Sequence, residues 1–148
     1  MQRQTAIVSL HVLAFAVACA ASSGRGNPVS PSPATLGEPF NVKAGGSVTI
    51  RDENLRVGFD RVLSDSRCPR GARCIAQGEA TVRVWLLKAA RGRAAHELQT
   101  TPPSAAEAVY DGYRIRLTAL DPYPEVDRPV RSSDYVVTLV VTRSQTSP

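Results

Sequence analysis

The chain has 148 residues, with 18 Lys and Arg against 13 Asp and Glu, two histidines and three cysteines. That length holds one domain, less whatever is processed away. Two histidines leave little for an acid–base or histidine-rich metal site, and a net charge of +5 is mild enough to be a solvated surface and nothing more.

The N-terminus carries Arg3, an apolar run from Ala6 through Ala18, and then Cys19. A charged n-region, a short h-region and small residues at its end predict a secretory signal, too short to persist as a spanning helix. Phe15-Ala16-Val17-Ala18-Cys19 resembles the lipobox of bacterial lipoproteins, although Ala16 stands where leucine is commonest. The resemblance implies that residues 1–18 are removed, that Cys19 takes the lipid, and that the protein is anchored in the cell envelope. Ala20 in place of Asp after that cysteine implies the periplasmic face of an outer membrane, or the cell surface. The alternative is ordinary cleavage at Ala18-Cys19-Ala20, which gives a soluble secreted or periplasmic protein. Loss of Arg3 lowers the net charge from +5 to +4. A nucleic-acid partner is not expected of an exported chain. The expected partners are the membrane, through the lipid, and an envelope protein or anionic envelope polymer.

From Cys19 to Pro39 the composition is rich in Ser, Pro, Gly and Ala with no apolar periodicity, which predicts a flexible tether. A domain over 40–143 and a short tail over 144–148 complete the expected organisation. Inside the domain the period is two. Leu55, Val57 and Phe59 alternate with Arg56, Gly58 and Asp60, and Val82, Val84 and Leu86 alternate with Thr81, Arg83 and Trp85. Ile115 and Leu117, then Val137, Leu139 and Val141, repeat the pattern. Such alternation marks half-buried strands. Turn signals separate them at Ala44–Ser47, Asp52–Asn54, Ala90–Arg93, Asp111-Gly112 and the proline-rich Asp121–Pro129. Asp111-Gly112, with Val109-Tyr110 before it and Tyr113-Arg114-Ile115 after it, predicts a hairpin. Ser104–Ala108 is helix-friendly but too short to matter. About seven strands on short turns predict an all-β fold, a small antiparallel β-sandwich, with a closed barrel as the alternative.

Between two of these strands lies Asp65-Ser66-Arg67-Cys68-Pro69-Arg70-Gly71-Ala72-Arg73-Cys74-Ile75-Ala76-Gln77-Gly78-Glu79-Ala80. Pro69 and Gly71 give the segment between the cysteines a turn-forming composition. A Cys68–Cys74 disulfide would remove denatured-state entropy worth about 2–2.5 kcal/mol. It also closes the cysteine count once Cys19 is acylated. Redox chemistry prefers C-x-x-C, and zinc needs two further ligands. Those remain the alternatives.

Asp65-Ser66-Arg67-Cys68-Pro69, then Cys74, then Gly78-Glu79-Ala80, resembles a signature of uncharacterised bacterial exported proteins and lipoproteins. Phe59 and Val62 before the loop, Leu120-Asp121-Pro122-Tyr123-Pro124 and the final Tyr135-x-Val137-x-Leu139 fit the same pattern. Ala76 departs from it, standing where a tryptophan is expected. The resemblance implies export and a compact β domain and carries no activity.

Arg67, Arg70 and Arg73 in the loop, with Arg61 just before it, are the candidate binding patch. Together they could grip carboxylates or phosphates; the alternative is that Asp60 and Asp65 pair with some and the rest are solvated. Asp65 and Ser66 are expected to cap the turn through side-chain-to-backbone bonds. Tyr123, between two prolines, is either an exposed recognition anchor or a lid lying flat over the end of the sandwich. Asp121, Glu125 and Asp127 match no EF-hand spacing and read as a rigid surface turn, so no metal or other cofactor is expected. Trp85 is expected to shield the outer face of a sheet, with a binding surface as the alternative, and His96 to sit in a solvated turn. No P-loop, G-x-G-x-x-G, G-x-S-x-G or H-E-x-x-H occurs. The expectation is a non-enzymatic envelope protein that binds or supports something, or else a secreted inhibitor or ligand-binding domain that uses the Cys68–Cys74 loop.

Overall fold

The computed structural model describes residues 32–145; the expected signal, the lipobox-like segment and most of the expected tether lie outside them. Eight strands form: β1 (Pro39–Lys43), β2 (Ser47–Ile50), β3 (Leu55–Asp65), β4 (Ala80–Lys88), β5 (Gly92–Gln99), β6 (Glu107–Tyr110), β7 (Tyr113–Asp121) and β8 (Val136–Arg143). They make two antiparallel four-stranded sheets, ordered β1-β8-β7-β6 and β2-β3-β4-β5. The sheets face each other without closing into a barrel, so the fold is a β-sandwich.

Alternation decides which side chains face inward. Val82, Val84 and Leu86 of β4 meet Ile115 and Leu117 of β7 and Val137, Leu139 and Val141 of β8, all buried in one core with Leu55, Val57 and Phe59 of β3. In β7 the inward positions run Tyr113, Ile115, Leu117 and then Leu120. The change of phase comes from a bulge, since Leu117 pairs with Leu139 but Ala119 already pairs with Thr138. The extra residue, Thr118, spends its hydroxyl on the carbonyl of Thr138 at 3.0 Å. A bulge re-aims the side chains beyond it, and here it turns Leu120 into the core near the end of the sandwich.

Trp85 lies on the outer face of β4, over Gly58 of the neighbouring β3. A Cβ at Gly58 would stand 2.0 Å from the indole, so glycine is what lets the ring lie flat on the sheet. The Arg93 guanidinium stacks above it, 4.3 Å from the ring centroid. The expected shielding role is the one seen.

Two expectations change. His96 is not in a turn. It sits half-buried in β5 opposite Val84, its Nε2 buried without a hydrogen-bond partner among the described residues and its ring edge-on to Tyr110. β5 reads GRAAHELQ, a poor strand by propensity, and pairing with β4 along its whole length overrides that. Part of the stretch read as tether also belongs to the domain. The backbone N–H of Ala34 donates to Thr49, Arg51 donates to the Ala34 carbonyl, and Gly37 donates to Val141, while Leu36 packs on the core.

Candidate functional site

The ends of β3, β4, β5, β7 and β8 meet at one end of the sandwich, where Asp65 pairs with Ala80, Thr81 with Gln99, and Asp121 with Val136. Two loops rise there, Ser66–Glu79 after β3 and Pro122–Tyr135 after β7. The stem of the first continues the ladder irregularly. Ser66 N–H donates to the Glu79 carbonyl and Cys68 N–H to that of Gln77, at 2.8 and 2.7 Å. The Ser66 hydroxyl donates to the Glu79 carbonyl and accepts from the Glu79 N–H. The two stem strands run so close at Gly78, φ +65°, that a Cβ there would lie 1.8 Å from the Ser66 carbonyl oxygen. The glycine of the Gly78-Glu79-Ala80 motif is therefore a steric requirement. Cys68 and Cys74 are joined as a disulfide, their Cα atoms 6.0 Å apart.

Arg67 holds this loop to both sheets. It is the one charged side chain buried among the described residues, 7% exposed. Its Nε and Nη2 donate to the two carboxylate oxygens of Asp65 at 2.8 and 2.7 Å, Nη1 donates to the Leu120 carbonyl at 2.7 Å, and Nη2 also reaches the Pro122 carbonyl at 3.1 Å. The Tyr135 hydroxyl donates to Asp65 Oδ2 at 3.0 Å. Burial pushes the Asp65 carboxyl upward, but the Arg67 side chain and N–H and the Tyr135 hydroxyl outweigh it and hold the group below the ordinary carboxylate value. Both expected turn caps form, since Asp65 Oδ1 also accepts the backbone N–H of Arg67.

The second loop is stitched to the first through backbone. Arg70 N–H donates to the Pro124 carbonyl at 2.9 Å and Val126 N–H to the Arg70 carbonyl at 3.2 Å. Tyr123, half-buried, offers its ring to both neighbouring arginines, with the Arg67 guanidinium 4.9 Å and the Arg70 guanidinium 5.3 Å from its centroid. Of the four candidate arginines, then, Arg67 and Arg70 converge. Arg61 pairs with Asp60 at 3.1 Å, and Arg73 is exposed. Asp121 ends β7, and Glu125 and Asp127 lie on this loop, where the Glu125 carboxylate comes within 3.8 Å of Arg128. Among the described residues no three of His, Cys, Asp and Glu gather as a metal would require.

Between the loops and β7 opens a cleft of about 420 Å³. One wall is the β7 segment Leu117–Asp121; the others are Gln77, Gly78 and Thr100, with Arg67, Arg70 and Tyr123 at one side. Its volume falls within the range of small-ligand clefts, and its lining mixes polar and apolar side chains. Outside the cleft, Ile75 beside the disulfide is fully exposed and Val126 is 55% exposed. Nothing local in the sequence points to the contacts that Tyr135 and the Leu120 and Pro122 carbonyls make, or to the cleft. The Leu120 and Pro122 carbonyls lie 53 and 55 residues along the chain from Arg67, and Tyr135 lies 70 from Asp65.

Comparison with protein-family models, with curated proteins and with solved structures finds no match.

Proposed function

We propose that this chain is a lipid-anchored, non-enzymatic binding module of the cell envelope, held to the membrane by Cys19 and presenting the loop end of its sandwich to a partner. The observation that carries the reading is that end. The Ser66–Glu79 loop is fixed by a disulfide, by Arg67 and by the second loop, yet Ile75 and Val126 point their apolar side chains into water. A rigid loop with exposed apolar residues loses little entropy on docking, which favours binding. The lipobox-like Phe15–Cys19 supports the anchor. The alternative, a soluble secreted inhibitor, uses the same loop as a wedge and differs only in how the N-terminus is processed.

The test has two parts. Intact mass of the protein extracted from membranes should show a lipid-sized addition on a chain beginning at Cys19; an unlipidated chain cleaved beyond Cys19 overturns the anchor. A photo-crosslinker placed at Ile75 or Val126 in living cells should give a discrete adduct that the same group at Arg51, at the opposite end, does not. Equal adducts at all three sites, or none, overturn the binding end.

A further inference from the structure

β6 pairs with β7 only as far as Glu107 opposite Arg116. From Leu117 onward, that side of β7 has no strand against it among the described residues, and the chain before β6 swings away as a 3-10 turn, Pro103–Ala106. The cleft lies along this stretch, and a second hollow of about 340 Å³, lined by Thr100, Ala106 and Leu117 among others, continues it toward β6. The opening is therefore elongated and follows a strand edge. Such an edge offers backbone donors and acceptors, here with the Thr118 bulge within it, and can accept an added strand.

At the loop end of the edge, Arg67 acts as a stop, since its Nη1 already takes the Leu120 carbonyl. A guanidinium has five N–H donors. Four bonds from the Arg67 side chain are accounted for, which leaves one N–H on Nη1 beside the cleft. Arg70 also lines the cleft and forms no ion pair among the described residues. A carboxylate entering the cleft would meet these donors, while Asp121, which lines the same cleft, would repel further negative charge.

We infer that the cleft takes an extended peptide strand, laid along β7 from Leu117 to Ala119, with its C-terminal carboxylate received by Arg70. This deepens the proposed binding role and rests on it, while needing neither the lipid nor the exposed Ile75. The test incubates the full-length chain with a pool of randomised hexapeptides bearing free C-termini and, in parallel, with the same pool amidated. Retained peptide is measured after size exclusion, and hydrogen exchange is followed by mass spectrometry. Free-carboxylate peptides should be retained at least fivefold over amidated ones, with exchange slowed in Leu117–Asp121. Arg70→Gln should abolish the preference, and Arg73→Gln, outside the cleft, should keep it. Equal retention of both pools, no retention, protection confined to other segments, or an undiminished preference in Arg70→Gln overturns the inference. Because the readout needs no membrane and no crosslink, its failure is separable from failure of the anchor or of the Ile75 surface.

Discussion

Asp65 and Arg67, two residues apart, form a bidentate ion pair at 2.7 and 2.8 Å whose side chains are 11% and 7% exposed. Through it the end of β3 in one sheet is joined to the Leu120 and Pro122 carbonyls and the Tyr135 hydroxyl beside the other. Removing either member leaves the other as an unpaired charge out of water. Arg67→Ala and Asp65→Ala should each cost about 3–5 kcal/mol in urea-unfolding experiments. Arg67→Lys, which keeps the charge but loses the fork, should fall between these variants and the native protein. A loss in Arg67→Ala no larger than that of Arg61→Ala, at an exposed pair, would mean that the network is not what joins the sheets.

The same pair sets an acid limit. The folded-state pKa of Asp65 is depressed, so the stability it contributes is fully present above the unfolded carboxyl value, near pH 4. It is lost as pH falls through the folded value. Thermal midpoints measured from pH 6 down to pH 2 should fall in the native protein. In Asp65→Asn they should start lower and fall less steeply over the same range.

Reduction of Cys68–Cys74, or the double change to serine, should lower stability by about 2–2.5 kcal/mol. The core strands should keep their circular-dichroism spectrum, because none of their packing runs through the disulfide. Amide exchange should quicken within 69–77 first.

Gly78→Ala should be more costly than its size suggests. The residue has φ +65° and its Cβ would stand 1.8 Å from the Ser66 carbonyl oxygen. The left-handed backbone alone costs about 1–3 kcal/mol, and relief of the clash must spread the loop stem. Denaturant midpoints would show this against Gly92→Ala, where φ is +78° but nothing lies within 4 Å of the added carbon.

The sandwich was legible because its signal is local. Val82, Val84 and Leu86 declare a half-buried strand without reference to any partner, and Asp111-Gly112 declares a turn. β5 was hidden because Gly92, Ala94 and Ala95 lack strand propensity and are held by pairing with β4. That pairing also removed His96 from the solvent expected for it. The cysteine loop and the caps from Asp65 and Ser66 could be read from neighbouring residues. The convergence of Arg67 and Arg70 on Tyr123 could not, because Tyr123 arrives from a loop more than fifty residues later. The Thr118 bulge was equally silent in sequence, and it is what turns Leu120 into the core.

The incoming segment has a mechanical consequence. Ala34 is bonded to β2 through the Thr49 carbonyl and the Arg51 N–H, and three residues later Gly37 is bonded to β8 through the Val141 carbonyl. Those strands belong to different sheets. A pull on the chain from its N-terminal side therefore loads both layers through three hydrogen bonds before β1 begins to peel from β8. Tension is shared across the sandwich at the point where it enters, and the loop end with its cleft stands off that line of force.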